Sequence, residues 1–465
     1  MIAFSLEEIA DITGGRLDGP PGGRVTGPVV VDSRLAGPGS LFVAVRGEHA
    51  DGHDFARAAV DAGAAGVLAE RPVGVPAVVV PDVLAGLAAL ARAVVDRLTG
   101  LTVVGITGSS GKTSTKDLLA QVVGGLGATV AAEGSFNNEI GHPLTVLRAD
   151  RSTRYLVLEV AARGAGHIAY LCRVAPPRIG VVLNVGSAHI GEFGGREEIA
   201  KAKGELVEAL PPAAAAGGVA VLNADDPLVA AMADRTRARV VTFGRSDSAT
   251  VRASGVTLDA AGRAAFTLVA PAGQAPVRLA LVGEHQVDNA LATAAVAAEL
   301  GMAPAAIAAA LEGARPRSRW RMEVTGLPDG TTVVNDAYNA NPESVTAALR
   351  TLAVMAGGGR GHAVLGQMAE LGPAHRAEHE RIGRLAAELG VTCVIAVGPE
   401  AAPIAEAAAG VPGWSGTART VPDAAAAVRA VREELRPGDV VLVKGSRVAA
   451  LEKVADELVA GGDAR

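Results

Sequence analysis

Short apolar segments alternate with alanine-rich helical segments along the whole chain of 465 residues. This alternation predicts an α/β fold in which mostly parallel sheets are covered by helices on both faces. Three blocks follow one another, and their predicted strands are 29–31, 41–45, 66–68 and 77–80, then 101–107, 155–160, 179–184, 218–223 and 240–243, and last 333–336, 363–365, 393–397 and 440–444. The length is that of about three domains. We therefore predict domains at residues 1–100, 101–316 and 317–465.

Composition narrows the class of protein. Hydrophobic residues make up 49% and charged residues 20% of the chain, which is typical of a globular protein. The net charge of −6 gives no general attraction to nucleic acid. The N-terminal segment carries acids where a signal peptide needs bases, and the apolar stretch 83–95 is too short to span a bilayer. We expect a cytoplasmic protein without membrane insertion.

The two cysteines support the same compartment. Cys172 and Cys393 fall into different predicted domains, so we expect no disulfide between them. Each is expected to be a small buried apolar residue in a reducing environment.

A glycine-rich turn follows the predicted strand 101–107 and ends in Lys112-Thr113. Gly108 and Gly111 allow the backbone to bend with its N–H groups directed inward, and the helix that starts at Thr113 adds its positive end. Lys112 is placed to reach the outer phosphates of a nucleotide, and the Thr113 hydroxyl to bind Mg2+. The common pattern has glycine five residues before Gly111, where this chain has Ile106, which points away from ordinary kinases and switch GTPases. The remaining predicted nucleotide contacts of this turn are Ser109, Ser110 and Ser114.

Lysine is rare in this chain, with six lysines among 43 lysines and arginines. In such an arginine-rich protein a lysine is a candidate for a task that needs a compact ammonium or a reactive amine. Lys112 has a task in the phosphate turn, whereas Lys201, Lys203 and Lys444 require explanation. Lys116 and Lys453 lie in helical, charged surroundings and are expected to face solvent.

Polar residues stand at the carboxyl ends of several predicted strands, where open parallel sheets bind their ligands. These residues are Glu159, Asn184 with His189, Asp225 with Asp226, Asp336 and Lys444. Any of them alone can instead be a helix cap or a solvated loop residue. Asp226 before Pro227 can simply start a helix, and His189 can be a loop histidine bonded to the backbone.

Several motifs follow one another along the chain, beginning with the phosphate turn. The turn reads Gly-Ile-Thr-Gly-Ser-Ser-Gly-Lys-Thr-Ser at 105–114, and Asn-Asn-Glu-Ile-Gly follows at 137–141. Asn-Asp-Ala-Tyr-Asn-Ala-Asn-Pro-Glu-Ser stands at 335–344. In their order along the chain these motifs resemble the Mur ligases, as do the segments 32–34, 39–48, 184–190, 202–205, 223–226, 283–291, 321–323 and 443–447. The resemblance implies a small α/β N-terminal domain, a central P-loop ATPase domain and a Rossmann-like C-terminal domain.

The segments 137–141 and 335–344 are similar to the branch of the family that adds a dipeptide. That resemblance implies an ATP-dependent ligase of peptidoglycan precursor synthesis, joining D-alanyl-D-alanine to UDP-N-acetylmuramoyl-tripeptide through an acyl phosphate. The N-terminal domain would bind the UDP-muramoyl peptide, and the C-terminal domain the acceptor. We expect these small molecules, rather than nucleic acid, to be its partners, and we expect a monomer.

The resemblance also assigns roles to residues. It implies that Thr113 and Glu159 hold one Mg2+, and that His189 and Lys203 hold a second. A free ammonium at Lys203 would repel the metal, and a carbamate on this lysine would remove the conflict. Lys203 is preferred to Lys201 because the modified lysine of the family leads the Gly-Glu-Leu helix. The implied nucleotide contacts include Asn289, Arg321 and Asp336, and the implied substrate contacts are Ser33, Arg34, Asn137, Asn138, Lys444 and Arg447.

Other functions remain open at this point. One alternative is another amide ligase of the superfamily, either a different amino-acid-adding enzyme or a folylpolyglutamate synthetase-like protein. The block before the phosphate turn argues against the folate enzyme, which begins at its ATPase domain. A non-catalytic nucleotide-binding relative is the other alternative. The joint presence of Lys112, Glu159, His189 and Lys203 argues against it.

Overall fold

The computed structural model of the protein describes residues 1–162, 164–187 and 190–462. Three sheets, which follow one another along the chain, organise this part of the molecule, together with one two-stranded ribbon. None of the helices in these ranges is both long and apolar enough to cross a membrane.

The N-terminal sheet has five strands in the order β2-β7-β6-β5-β4, and only β2 runs antiparallel to its neighbour. Strands β1 and β3 form the separate ribbon. The elements are β1 (Phe4–Ser5), α1 (Leu6–Thr13), β2 (Arg16–Asp18), β3 (Arg24–Val25), β4 (Val29–Val30), β5 (Leu41–Val43), α2 (Ala56–Asp61), β6 (Gly66–Ala69), β7 (Ala77–Val79) and α3 (Val83–Arg97).

The central sheet has nine strands in the order β16-β15-β14-β13-β12-β11-β8-β10-β9. Strands β8 to β14 are parallel, whereas β15 and β16 extend the sheet as antiparallel hairpins. The elements are β8 (Thr102–Thr107), α4 (Lys112–Gly124), β9 (Thr129–Ala131), α5 (Gly141–Val146), β10 (Tyr155–Glu159), α6 (His167–Val174), β11 (Ile179–Val182), α7 (Ile190–Phe193), α8 (Arg196–Glu208), α9 (Ala213–Ala216), β12 (Val219–Asn223), α10 (Pro227–Ala230), β13 (Arg239–Gly244), β14 (Val251–Leu258), β15 (Arg263–Ala270), β16 (Gly273–Val282), α11 (Gln286–Glu299) and α12 (Pro304–Gly313).

The C-terminal sheet has six strands in the order β17-β18-β22-β19-β20-β21, with β17 as its antiparallel edge. The elements are β17 (Glu323–Gly326), β18 (Thr332–Asn335), α13 (Pro342–Ala356), β19 (Gly361–Leu365), α14 (His375–Glu388), β20 (Cys393–Val397), α15 (Ala402–Ala409), β21 (Thr417–Val421), α16 (Ala424–Glu434), β22 (Val440–Lys444) and α17 (Glu452–Gly462).

Helix α3 joins the N-terminal and central sheets through one hydrophobic core. Leu87 and Leu90 of this helix are fully buried in the same apolar cluster as Val146 and Leu156 of the central domain. Burial of leucine-sized side chains contributes about 1.5–3 kcal/mol each. The contact between these two domains is therefore an extension of a core rather than a loose joint.

The α/β prediction is confirmed, since every strand predicted from the sequence has a counterpart in the three sheets. The antiparallel strands β15 and β16 were not predicted. Their side chains are buried and accessible in alternation, as expected of a sheet with one solvated face. The proposed boundaries at 100/101 and 316/317 stay predictions, although the strands of the three sheets lie on either side of them.

Candidate functional site

The phosphate turn lies between β8 and α4 at the carboxyl edge of the central sheet. Gly111 has a φ of +80°, and a Cβ there would lie 2.5 Å from Asn289 Oδ1. Both the left-handed conformation and the close approach require glycine. Lys112 Nζ folds back and donates to the carbonyl of Gly108 at 2.7 Å.

Asn184 supports the turn from the neighbouring strand. Its Oδ1 accepts hydrogen bonds from the amides of Ser109 and Ser110, both at 3.0 Å. Because β11 pairs with β8, the residues beyond their carboxyl ends meet at one edge of the sheet. Asn184 therefore has a structural task in shaping the turn.

Glu159 ends β10, which pairs with β8 on its other side. Its side chain is completely buried. Oε2 accepts from Asn137 Nδ2 at 3.2 Å, whereas Oε1 has no hydrogen-bond partner among the described residues. A buried carboxylate oxygen without a donor is costly unless a cation or a proton faces it. Together with the Thr113 hydroxyl this oxygen makes a donor set suited to Mg2+.

The same carboxylate acts on the lysine of the turn. Burial lowers the pKa of Lys112, the charge of Glu159 raises it, and the charge of Arg321 lowers it. The positive charges of Lys112 and Arg321 thus act on each other, and a phosphate group bound between two such cations would be stabilised by both.

Arg321 reaches the turn from the segment that leads into the C-terminal domain. Its Nη2 donates to Thr113 Oγ1 at 3.1 Å and to Ser135 Oγ at 3.2 Å. The guanidinium lies 4.0 Å from the centre of the Tyr338 ring. Flanking Trp320 and Met322 have positive φ values of 60° and 50°. Such conformations are strained in bulky residues and concentrate at functional sites.

Asn289 of α11 contacts the helix that follows the turn. Its Oδ1 accepts from Thr115 Oγ1 at 3.1 Å, and its Nδ2 donates to Gln286 at 2.9 Å. Asp288 lies beside it and accepts from Arg245 Nε at 3.0 Å. Burial raises the pKa of Asp288, while the charge of Arg245 lowers it.

Lys203 and Lys201 of α8 differ sharply in environment. Lys203 is 7% exposed, whereas the side chain of Lys201 is 71% exposed and lies 3.8 Å from Glu198. Burial lowers the pKa of Lys203 well below its usual value, and the charge of Lys112 lowers it further. Within the described residues no hydrogen-bond acceptor or counter-ion engages the amine of Lys203.

The burial of Lys116 contradicts the expectation from the sequence. We expected it to face solvent, but it is 1% exposed. Its Nζ donates to the carbonyl of Ala132 at 2.7 Å and to that of Gly134 at 3.1 Å. The chain folds back over α4 at this point, so carbonyl groups distant in sequence replace water around the ammonium. Lys453, in contrast, is exposed as expected.

The central and C-terminal domains touch beside the turn. Glu343 accepts from the amide and the hydroxyl of Ser187 at 2.8 and 3.0 Å. Asn341 Nδ2 donates to the carbonyl of Ser109 at 3.4 Å. These contacts bring the N-terminal end of α13 onto the phosphate turn.

A cavity of about 620 Å³ opens between these two domains. The predicted residues that line it are Ser109, Ser110, Gly111, Lys112, Thr113, Ser114, Asn137, Asn138, Glu159, Asn289, Arg321, Asp336, Lys444 and Arg447. The cavity is therefore lined by predicted residues of both domains that are up to 338 positions apart in sequence, the separation of Ser109 and Arg447.

Four predicted residues do not line this cavity in the described part of the chain. Gly108 lies in the turn and Lys203 is buried in α8. Ser33 and Arg34 belong to the N-terminal domain, where Arg34 is 87% exposed and paired with Asp32 at 2.6 Å. His189 lies outside the described residues.

The helix alternative for Asp226 is confirmed, because its carboxylate caps the start of α10.

Several functional candidates were missed from the sequence. Ser135 bonds to Thr113 and Arg321, and the cavity is also lined by His285, Gln286, Asp288, Tyr338, Asn339, Asn341 and Glu343. Most of these lie inside the segments 283–291 and 335–344. The resemblance to the Mur ligases includes both segments, but the roles that it implies there are those of Asn289 and Asp336.

Comparisons with known proteins agree with this arrangement. "Mur ligase family, catalytic domain" matches residues 28–98, "Mur ligase middle domain" residues 106–297, and "Mur ligase, glutamate ligase domain" residues 320–447. The chain is 52% identical to the UDP-N-acetylmuramoyl-tripeptide–D-alanyl-D-alanine ligase of Mycobacterium tuberculosis, over 99% of this chain and 98% of that relative.

Solved structures show the same likeness in three dimensions. A crystal structure of MurF from Acinetobacter baumannii is 30% identical, with a TM-score of 0.89 and 99% of each chain covered. The MurF ligase from Thermotoga maritima in complex with ADP is also 30% identical, with a TM-score of 0.81, 95% of this chain and 99% of that chain covered. The protein belongs to the Mur ligase family.

Proposed function

We propose that this protein is an ATP-dependent ligase that joins D-alanyl-D-alanine to UDP-N-acetylmuramoyl-tripeptide in peptidoglycan precursor synthesis. The observation that carries the proposal is the cavity between the central and C-terminal domains, where the phosphate turn faces Asp336 and Lys444. The identity of 52% to a ligase of that name over nearly the whole chain favours this substrate pair over other acceptors of the family.

The reaction has two steps. An oxygen of the tripeptide's terminal carboxylate attacks the γ-phosphorus of ATP, forming an acyl phosphate as ADP leaves. The neutral amine of the dipeptide then attacks the acyl carbon, the amide forms, and phosphate leaves with the bonding electron pair while the amine loses a proton. Both steps spread negative charge over phosphate oxygens, which positive groups stabilise.

The residues of the turn bind that charge. Lys112 and the backbone amides of the turn hold the outer phosphates, and Arg321 assists from the opposite domain. Because Arg321 and Lys112 belong to different domains, the phosphate site is complete only when the domains are in contact. Asn289 and Asp336 are the proposed contacts of the adenosine.

The donor set at the turn suits Mg2+. Thr113 and Glu159 would hold one ion, and His189 with a carbamylated Lys203 would hold a second. Bound Mg2+ would neutralise charge on the phosphates and on the acyl phosphate. In the described part of the chain Oε1 of buried Glu159 has no hydrogen-bond partner, which supports the first of these assignments.

Lys203 lies in an environment that favours the formation of a carbamate. Only a neutral amine attacks carbon dioxide, and burial together with the charge of Lys112 lowers the pKa of Lys203. The amine nitrogen forms a bond to the carbon of CO2 and releases a proton, which leaves an anionic oxygen ligand. A carbamate would also give buried Lys203 a negative charge beside the positive charge of Lys112.

The other substrates are assigned by position. Ser33, Arg34, Asn137 and Asn138 are the proposed contacts of the UDP-muramoyl peptide. Asn137 bonds to Glu159, so the donor substrate would lie beside the carboxylate that faces the phosphates. Lys444 and Arg447 are the proposed contacts of the dipeptide or of the γ-phosphate. We propose a cytoplasmic monomer with the domains 1–100, 101–316 and 317–465.

The test is ATP-dependent phosphate release with each substrate omitted in turn. We expect release only when the UDP-linked tripeptide and D-alanyl-D-alanine are both present. Single D-alanine should support weak turnover at most, since it lacks an amide and a methyl group that contribute binding. Lys112→Met should abolish release, whereas Lys453→Met, at an exposed lysine, should leave it unchanged. Equal turnover with D-alanine and its dimer would contradict the assignment.

A further inference from the structure

Lys116 stands one helical turn beyond Lys112 on α4, buried behind the phosphate turn. Its ammonium donates to two backbone carbonyls of the segment that follows β9, those of Ala132 and Gly134. Carbonyl oxygens held by a buried ammonium form charge-assisted hydrogen bonds, which are stronger than neutral ones. The backbone of residues 132–134 is thereby fixed to α4.

The next residue of the helix completes an ion pair. Asp117 Oδ1 lies 2.6 Å from Lys116 Nζ, and Asp117 Oδ2 accepts from the amide of Ser318 at 3.1 Å. Gln121, one turn further, accepts from the amide of Arg315 at 3.1 Å and donates to its carbonyl at 3.0 Å. The same face of α4 thus holds a second segment, residues 315–318.

Both segments carry residues of the candidate site directly after their anchored positions. The first continues into Ser135, which bonds to Thr113, and Asn137, which bonds to Glu159. The second continues into Arg321, which bonds to Thr113 and Ser135. One ion pair on α4 is therefore shared by the two segments that meet at the Thr113 hydroxyl.

We propose that Lys116 and Asp117 are positioning residues that set the loop 132–138 and the linker 315–321 in register with the phosphate turn. Their contacts place Asn137 against Glu159 and Arg321 against Thr113. The inference rests on the proposed Mg2+-nucleotide site, since its consequence is the placement of groups around Thr113 and Glu159.

The test separates positioning from stability with two variants. Lys116→Met leaves the carboxylate of Asp117, which is only 14% exposed, without its cation and should lower the melting temperature. Lys116→Met combined with Asp117→Asn removes both charges, and such neutral replacements of buried pairs are often no less stable than the parent. The asparagine Oδ1 can still accept from the amide of Ser318. Lys453→Met is the matched control, because it replaces an exposed lysine on another helix.

Two measurements are made on all variants. Hydrogen–deuterium exchange without ligands should become faster in residues 132–138 of both Lys116 variants. The Mg2+ concentration for half-maximal phosphate release should rise about tenfold, the effect of losing a hydrogen bond to a charged group. The double variant should regain the melting temperature of the parent but keep the faster exchange and the higher Mg2+ requirement. The control Lys453→Met should match the parent in every measurement.

Three results would overturn the inference. Parent-like exchange and Mg2+ requirement in the double variant would mean that the pair only stabilises the fold. Failure of both variants to fold would mean that the pair is needed for the core itself. A rise in the Mg2+ requirement without faster exchange in residues 132–138 would mean that the Lys116–Asp117 pair does not act through this loop. Failure of the proposed function would instead show as an absence of phosphate release in the parent, while the exchange measurement would still apply.

Discussion

Asp336 and Lys444 form an ion pair at the carboxyl ends of two neighbouring parallel strands, with Lys444 Nζ 2.5 Å from Asp336 Oδ2. The register of β18 and β22 pairs the preceding residues, Asn335 and Val443, so the two side chains emerge side by side. Burial lowers the pKa of Lys444, and the charge of Asp336 raises it. From the sequence, Asp336 is expected to contact the nucleotide and Lys444 a substrate, whereas in the structure the two side chains form one ion pair.

The first prediction concerns this pair. Lys444→Met leaves Asp336 without its cation and should lower the free energy of unfolding by about 3–5 kcal/mol, as expected when one partner of a buried pair is removed. Asp336→Asn added to Lys444→Met should recover part of that loss, because no unpaired charge then remains. Urea unfolding of Lys444→Met, of Asp336→Asn and of the double variant measures the coupling between the two charges. Losses that simply add in the double variant would show that the two charges do not depend on each other.

The second prediction concerns Lys203. Lys203→Ala should lose most of the activity, and Lys203→Arg should do no better because a guanidinium stays cationic and takes up no carbon dioxide. Short-chain carboxylic acids added to Lys203→Ala should restore part of the rate by supplying an oxygen ligand. Phosphate release measures all three effects.

The neighbouring lysine provides the control for that experiment. Lys201 is on the same helix but is exposed, so Lys201→Ala should stay close to the parent in rate and should not respond to added carboxylic acids. Full activity of Lys203→Arg would rule out the carbamate.

The third prediction concerns the contact between the central and C-terminal domains. Glu343→Ala removes the hydrogen bonds from the amide and the hydroxyl of Ser187. This variant should therefore have a larger radius of gyration and bind a non-hydrolysable ATP analogue more weakly. The segment 313–318 is the expected hinge. Small-angle scattering with and without saturating ligands makes the measurement, and Glu388→Ala on the exposed side of α14 is the control. Identical scattering of the Glu343 variant and the parent would contradict a role in closure.

The fourth prediction concerns pH and His379. This histidine is fully buried, its Nε2 accepts from the amide of Met368 at 2.9 Å, and its Nδ1 donates to the carbonyl of His375 at 2.7 Å. Burial lowers the pKa of His379, and the charge of His375 lowers it further. The hydrogen bond to His375 and the charges of Glu400 and Glu378 raise it, but burial has the largest effect. A protonated ring could not accept from Met368.

The sign of the pH dependence follows from that lowered pKa. In the unfolded chain His379 takes up a proton near pH 6.5, whereas in the folded chain it does so at a lower pH. Stability from neutral His379 is therefore complete above about pH 6.5 and is lost as the pH falls towards the folded pKa. His379→Gln should reduce the fall in melting temperature between pH 8 and pH 5.5, and His49→Gln at an exposed site should not. An unchanged slope for His379→Gln would contradict the prediction.

The sequence alone determined the local chemistry of this protein. A strand that runs into Gly-Ser-Ser-Gly-Lys-Thr can form few structures other than a phosphate turn, because the glycines, the helix start and Lys112 act within a few residues of each other. Glu159, Asp336 and Lys444 were found because parallel strands place their following residues at one edge of the sheet. Such short-range rules also predicted most strands of the three sheets, although not β2, β9, β14, β15, β16, β17 and β21.

Only the tertiary structure decided which distant groups meet. Lys116 reads as a surface lysine in its helix, and its burial depends on carbonyls that the chain delivers from residues 132 and 134. Ser135 and Arg321 are ordinary in sequence but meet at the Thr113 hydroxyl. The pairing of Asp336 with Lys444 depends on β18 and β22 being neighbours although about a hundred positions separate them. Local sequence fixes backbone conformation over a few residues, whereas burial and hydrogen-bond partners depend on contacts that only the packed chain creates.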